Sequence, residues 1–317
     1  MFASSYKYIN QLFYIMKTTF LILFAFISTF SFAQNGKLQS KELINFSEIP
    51  ALWNKLSENN TLKDDFKHLD NLNFYFITYT SDDTLVNGIV AEPKTEGEFP
   101  VIIFNRGGNK QVGKKSKLKT LLTVIVSTSK LANEGYVVMA SCYRENDEFG
   151  GEDINDVLYL TETAKEIEKA NTDRIGMFGW SRGGMMTYLA LQKTDVIKTA
   201  VIGNGPTDLL KSIADRPKME TMVYAKLIPD YETNKTEELK KRSVVNWANE
   251  LNKESSLLIL CGTQDKRVNP NQADAIAEKL TEIDYNFELR KFETDHGFSG
   301  KREELNTTLT NWFKEKL

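Results

Sequence analysis

The chain has 317 residues, room for one large domain or two small ones, and its 41% hydrophobic and 11% aromatic content suits a globular protein with a sizeable core. Lys+Arg 40 against Asp+Glu 43 leaves a formal net charge of −3, with no basic block. That balance excludes nucleic acid as a partner class.

At the N-terminus, Lys17 precedes an apolar run from Phe20 to Phe32, and Ser31-Phe32-Ala33 puts small residues before Gln34. A basic residue, a short apolar stretch and a small-x-small site together make a secretory signal peptide. The run falls short of the ~20 apolar residues of a spanning helix. Cleavage is therefore expected over retention as an anchor, with residues 1–33 removed. Met16-Lys17 would open an ordinary signal peptide by itself, which makes Met16 an alternative start. No cysteine lies near the cut, so a lipid anchor on a mature N-terminal Cys is excluded. The expected product is exported, periplasmic or extracellular, with no stable membrane anchor.

Residues 34–72 form a polar lead-in in which Leu43, Ile44, Ile49, Leu52, Trp53 and Leu56 recur at roughly helical spacing. A helical lead-in packed on the main domain is expected. Asn73–Thr80 and Leu85–Ala91 are β-rich runs around Ser81-Asp82-Asp83-Thr84 and predict a hairpin. Apolar runs then alternate with helical stretches. Strands are expected at Val101–Asn105, Tyr136–Cys142, Arg174–Gly179, Val196–Asn204, Ser256–Cys261 and Asn286–Lys291. Helices are expected at Lys115–Asn133, Asp153–Ala170, Arg182–Lys193 and Lys301–Lys316. This alternation predicts an α/β fold, a mostly parallel eight-stranded sheet with helices on both faces and an antiparallel start, over residues 73–317. Between Pro206 and Glu254 a long helical segment rich in Met, Lys and Glu breaks the rhythm; it predicts a lid.

The strand Arg174–Gly179 runs into Gly179-Trp180-Ser181-Arg182-Gly183, then Gly184 and a helix. This is the G-x-S-x-G elbow of the α/β-hydrolase fold, in its strand–turn–helix context, with Ser181 as nucleophile. The turn is tight and its neighbours must lack colliding side chains, hence the glycines. The base follows by counting. Of the two histidines, His68 lies in the lead-in and is expected to be exposed or locally bonded. His296 falls after the last strand, where this fold delivers its base. For the acid, Asp265 in Gly262-Thr263-Gln264-Asp265 leaves the strand Ser256–Cys261 and is weighted above Asp208 and Asp295, the latter expected to shape its own loop. The oxyanion donors are the N–H of Arg182 and one from Asn105-Arg106-Gly107-Gly108-Asn109, with Gly107 the candidate. Arg106 and Trp180 are further substrate-binding candidates. Cys142 and Cys261 read as buried free thiols at strand ends rather than as a disulfide. No metal or cofactor is implied.

The hairpin, the R-G-G loop, Tyr143-Arg144, D-R-I-G-x-F-G-W-S-R-G-G, G-T-Q-D-x-x-V and D-H-G-F occur together over residues 73–317. In order and spacing they resemble the catalytic domain of the prolyl oligopeptidase family. The resemblance implies a serine peptidase or related acyl esterase acting through Ser181, Asp265 and His296 on a small ester or short peptide. Three departures from the pattern stand out. No residues are present for the family's β-propeller, Arg106 stands where the peptidases often place an oxyanion-stabilising Tyr, and no acidic pair for a peptide N-terminus is evident in the lead-in. The rival readings are a carboxylesterase for non-peptide esters and a binding protein that kept the fold without the chemistry.

Overall fold

In the run Val101-Ile102-Ile103-Phe104 every side chain is buried, Val101 and Ile103 in one core and Ile102 and Phe104 in another. Successive residues of a strand point to opposite faces, so a continuous apolar run requires cover on both sides. Val137–Ala140 and Leu257–Leu260 divide between the two cores in the same way.

The computed structural model describes residues 34–108 and 114–317. The signal peptide assigned to residues 1–33 and Asn109 of the R-G-G loop lie outside the described residues. Asn35–Leu317 forms a single unit built, besides a short hairpin of Ser57–Glu58 and Thr61–Leu62, on one nine-stranded sheet. Its strands are β1 (Leu38–Leu43), β2 (Leu72–Ser81), β3 (Thr84–Pro93), β4 (Phe99–Asn105), β5 (Val137–Ser141), β6 (Ala170–Trp180), β7 (Ile197–Gly203), β8 (Ser256–Gly262) and β9 (Phe287–Phe292). The spatial order is β1-β2-β3-β5-β4-β6-β7-β8-β9. Pairing is antiparallel from β1 through β3 to β5, and parallel from β5 onward. The chain thus has the α/β-hydrolase fold expected from its alternation.

The helices are α1 (Pro50–Leu56), α2 (Lys114–Asn133), α3 (Asn155–Thr163), α4 (Arg182–Lys193), α5 (Leu209–Asp215), α6 (Tyr231–Lys241), α7 (Asn271–Glu282) and α8 (Arg302–Lys316), besides shorter turns. On one face α3, α4 and α7 supply Val157, Leu160, Met185, Leu189, Ile276 and Leu280. On the other, α1, α2 and α8 supply Leu52, Leu56, Leu121, Ile125, Leu309 and Phe313.

Three expectations are corrected. The sheet has nine strands rather than eight, because Leu38–Leu43 of the lead-in is an edge strand rather than helix. Its burial does not alternate and Leu43 is largely exposed, so the strand leaves no period-2 signal in the sequence. The helical spacing read from Leu43 onward holds only for α1, whose Leu52 and Leu56 are buried one turn apart. The helix expected over Asp153–Ala170 ends as α at Thr163, since Ala170 already belongs to β6. The segment 206–254 is helical, but much of it is core. Leu209, Val223, Tyr224, Leu239 and Val244 are buried against the same cluster as α4.

Arg144, just beyond β5, ties the antiparallel end of the sheet to α3. Its guanidinium donates to Asp156 Oδ1 at 2.7 and 2.9 Å and to Asp82 Oδ2 at 2.7 Å, while Ser81 Oγ donates to Asp156 Oδ1 at 2.7 Å. The Asp156 side chain is fully buried. A buried ion pair adds little net stability, but removing one partner strands the other charge. Arg144→Met is therefore expected to cost about 3–5 kcal/mol. Lys165→Met, which breaks the exposed Lys165–Glu162 contact, should cost about 1 kcal/mol or less. Urea midpoints of the two variants check the ranking.

Candidate active site

Ser181 stands between β6 and α4 with φ 56° and ψ −123°, a left-handed backbone that a side chain adopts only under constraint. The constraint comes from close backbone approach. A Cβ on Gly183 would lie 1.7 Å from Asn105 O, and one on Gly179 would lie 2.2 Å from Gly183 O. Only glycine fits at either position. Ser181 N donates to Gly203 O at 2.8 Å and Gly184 N to Ser181 O at 2.8 Å, which completes the turn. The hydroxyl is thereby carried at the N-terminus of α4, where the helix dipole favours negative charge.

His296 follows β9, and its Nδ1 lies 2.6 Å from Asp265 Oδ2. The other carboxylate oxygen, Oδ1, accepts from Arg267 N at 2.7 Å and Val268 N at 3.1 Å. Asp265 is thus fixed in orientation, Nδ1 is occupied, and Nε2 is the ring nitrogen left to take a proton. Ser181 and His296 line one cavity of about 810 Å³, together with Gly107, Gly108 and Trp180. The structure therefore brings Ser181, Asp265 and His296 to one place from the carboxyl ends of β6, β8 and β9. The rival carboxylates are elsewhere engaged. Asp208 Oδ1 caps α5 by accepting from Lys211 N at 3.0 Å, and Asp295 accepts from Gly297 N and Ser299 N within its own loop. His68 is half-buried: its Nε2 lies 2.7 Å from Ser129 Oγ of α2, besides a local bond to the Asp65 backbone, and burial lowers its pKa.

Among the other candidates, Gly107 packs against the nucleophile, since a Cβ there would lie 3.1 Å from Ser181 Cβ. Trp180 lines the cavity and donates its Nε1 to His296 O at 3.2 Å. Two arginine side chains, Arg106 and Arg182, turn inward instead. Arg106 is buried, donates to Cys142 O at 2.7 Å and stacks on the Tyr143 ring. Arg106 does not line the 810 Å³ cavity, so the structure does not bring it to the site as expected. The Arg182 guanidinium is held by Asp147 at 2.6 Å to each oxygen and by Asp153 at 2.7 Å. Burial pushes the Asp147 carboxyl up, but Arg182 outweighs it and holds it below the usual range.

Asn204 was not foreseen. Its Nδ2 donates to His296 O at 3.1 Å and its Oδ1 accepts from Gly262 N at 2.8 Å, so one side chain ties the base loop to the root of the acid loop. The signal available was an Asn-Gly pair directly after a strand, which reads equally well as a plain turn.

A second, smaller hollow of about 210 Å³ also opens on Ser181, walled by Phe149, Pro206, Met219, Tyr224 and Val268. Residues of the 206–254 segment thus form one wall beside the nucleophile. Cys142 and Cys261 are free, buried thiols, as expected.

The glycine geometry gives a sharp contrast. Gly183→Ala should prevent folding or cost at least several kcal/mol, because Asn105 O is backbone and cannot yield. Gly297→Ala, with its nearest contact at 3.5 Å, should leave stability within about 1 kcal/mol. Thermal melts of the two variants make the comparison.

Residues 130–317 match the sequence profile of the prolyl oligopeptidase family, Peptidase_S9. The uncharacterized peptidase YtmA of Bacillus subtilis is 27% identical over 251 residues, 76% of this chain and 93% of its own length. The uncharacterized peptidase YuxL of the same bacterium is 26% identical, covering 75% of this chain and 38% of its own. Among solved structures, the acylaminoacyl peptidase of Pyrococcus horikoshii aligns with a TM-score of 0.66 at 24% identity, covering 81% of this chain and 44% of that one. A puromycin-hydrolyzing peptidase of Mycobacterium tuberculosis gives 0.63 at 20% identity, over 76% and 39%. The chain spans less than half the length of these solved structures, and at such identities they speak to fold alone. The match over residues 130–317 speaks to descent: the chain belongs to the prolyl oligopeptidase family and is a serine hydrolase.

Proposed function

We propose that Ser181, Asp265 and His296 are the catalytic triad of an acyl-transfer hydrolase that cleaves short peptides or small esters. The observation that carries this reading is the juxtaposition of a serine on a strained elbow and a histidine oriented by a buried carboxylate, both facing one cavity. His296 Nε2 takes the Ser181 proton as Oγ attacks the carbonyl carbon. Asp265 holds the ring in the tautomer with Nδ1–H and stabilises the imidazolium. The oxyanion is met by the Arg182 N–H and a donor of the loop at Gly107. His296 then protonates the leaving group and afterwards activates the water that frees the acyl chain. The 210 Å³ hollow, part apolar and part lined by Ser212, Arg216 and Arg267, has the size for a short acyl group, with the front of the 206–254 segment as its cover. Esters need less leaving-group protonation than amides, so short activated esters are expected to turn over readily and peptides more slowly.

Ser181→Ala should abolish covalent labelling by a fluorophosphonate and nearly all turnover of p-nitrophenyl acetate. Labelling that survives in the folded variant would sink the assignment. Asp265→Asn should lower kcat by on the order of 10⁴, as loss of the tautomer does elsewhere, whereas Asp208→Asn should be mild. The reverse ranking would place the acid after β7.

The reading of residues 1–33 as a secretory signal extends the proposal to location, a periplasmic or extracellular enzyme. Among the described residues no helix is long and apolar enough to cross a membrane. The exported protein should begin at Gln34 on N-terminal sequencing, and recovery from membranes with residues 1–33 attached would overturn this part.

A further inference from the structure

Many of the charges on this surface are paired within one helix or across neighbouring elements. Lys165 with Glu162, Lys240 with Glu237, Lys279 with Glu282 and Lys301 with Glu304 are four of many such contacts. The 810 Å³ cavity gathers three cations that are not paired. Lys119, Lys266 and Arg267 line it, and among the described residues none of the three forms an ion pair with a carboxylate. Residues 1–33 and 109–113 contain no Asp or Glu. The one acidic side chain in the lining, Asp295, spends both oxygens on Gly297 N, Ser299 N and Ser299 Oγ. The rest of the lining is neutral. Lys119 reaches across α2 to the loop that touches the nucleophile: a Cβ on Gly108 would lie 3.1 Å from Lys119 Nζ.

The two hollows beside Ser181 differ in a way that assigns them. His296 lines the cationic cavity and is absent from the lining of the 210 Å³ hollow. The group that protonates the departing atom must be within reach of it, so the leaving group departs into the cavity that holds His296. The small hollow is then left for the acyl side. Arg267 borders both, and Arg216 lines the small hollow, so the larger cavity is set apart by holding Lys119 and Lys266 beside His296.

We propose that the departing half of the substrate carries a carboxylate, received by Lys119, Lys266 and Arg267; the natural class is a short peptide, or an ester, whose leaving group ends in a free acid. The inference rests on the triad reading above and adds to it the charge and side of the recognised group. Three unpaired cations in a concave, partly enclosed site raise the local concentration of an anion, and the advantage is screened by salt.

The test compares 3-acetoxybenzoate with methyl 3-acetoxybenzoate, which share an acetyl group and differ in the charge of the leaving group. At low ionic strength the acid is expected to show a kcat/KM about tenfold higher, after correction for the hydroxide rates. The ratio should fall towards one in 0.5 M salt and in the Lys119→Met/Lys266→Met/Arg267→Met variant, whose fluorophosphonate labelling reports an intact fold. The product 3-hydroxybenzoate should also slow labelling of Ser181 more than its methyl ester does, a readout that needs no turnover. A blocked dipeptide compared as free acid and as amide extends the test to peptides and should show the same preference. A ratio at or below one, or one unchanged in the triple variant, overturns the inference. So does an advantage confined to an anion on the acyl side, read with phenyl hydrogen succinate against its methyl ester. Labelling of Ser181→Ala would instead overturn the triad reading, so the two failures are distinguishable.

Discussion

The approach of Asn105 O to the Cα of Gly183 is the constraint on which the rest of the site depends. It brings the carboxyl end of β4 against the first turn of α4, leaving no room for a methyl group. Ser181 is caught between the two and takes up a conformation it would not adopt alone. The same contact lays the loop after β4 beside Ser181, so the backbone at Gly107 and the Ser181 side chain share one wall. The cost of the strained residue is of the order of 1–3 kcal/mol and is met by the packing of β6 between β4 and β7.

A second layer holds that wall from behind. The Arg182 guanidinium is buried where Asp147 and Asp153 close on it from the loop beyond β5. Phe149 and Gly150 lie within that loop, and Phe149 forms part of the small hollow. The Asp147 and Asp153 carboxylates also accept from Phe149 N, Gly150 N and Gly151 N. Residue 182 therefore links the elbow to the acyl-side wall. A pair this buried contributes more to fixing one arrangement than to net stability, since its desolvation offsets much of the attraction.

What the sequence made legible follows from which signals are local. The elbow declares itself because a tight turn demands glycines at fixed offsets, and His296 because the chain has only two histidines. The alternation of β4 to β8 with their helices is equally plain, since strands buried on both faces read as continuous apolar runs. The strand β1 was illegible because an edge strand needs no apolar face. The roles of Asn204 and of Arg182 with its two aspartates were hidden for a different reason. Each joins loops separated by tens of residues, and a polar side chain after a strand gives no hint of its distant partner. The inward turn of Arg106 belongs to the same class, as its partner carbonyl lies on Cys142.

The two kinds of residue around Ser181 also differ in what they can tolerate. Asp265, Asn204 and His296 are buried and their polar atoms are engaged by neighbouring loops, so a change in any one propagates to the others. Lys266 and Arg267 sit one and two residues beyond Asp265 but are exposed, and only the Arg267 backbone enters the hydrogen-bond scheme of the acid. Their side chains are free to differ without disturbing the carboxylate they follow. On the proposed reading, chemistry and selectivity are written on adjacent residues of one turn, the first held by the fold and the second carried by solvent-facing charge. A substitution at Lys266 or Arg267 would therefore alter the charge beside Ser181 at little structural cost.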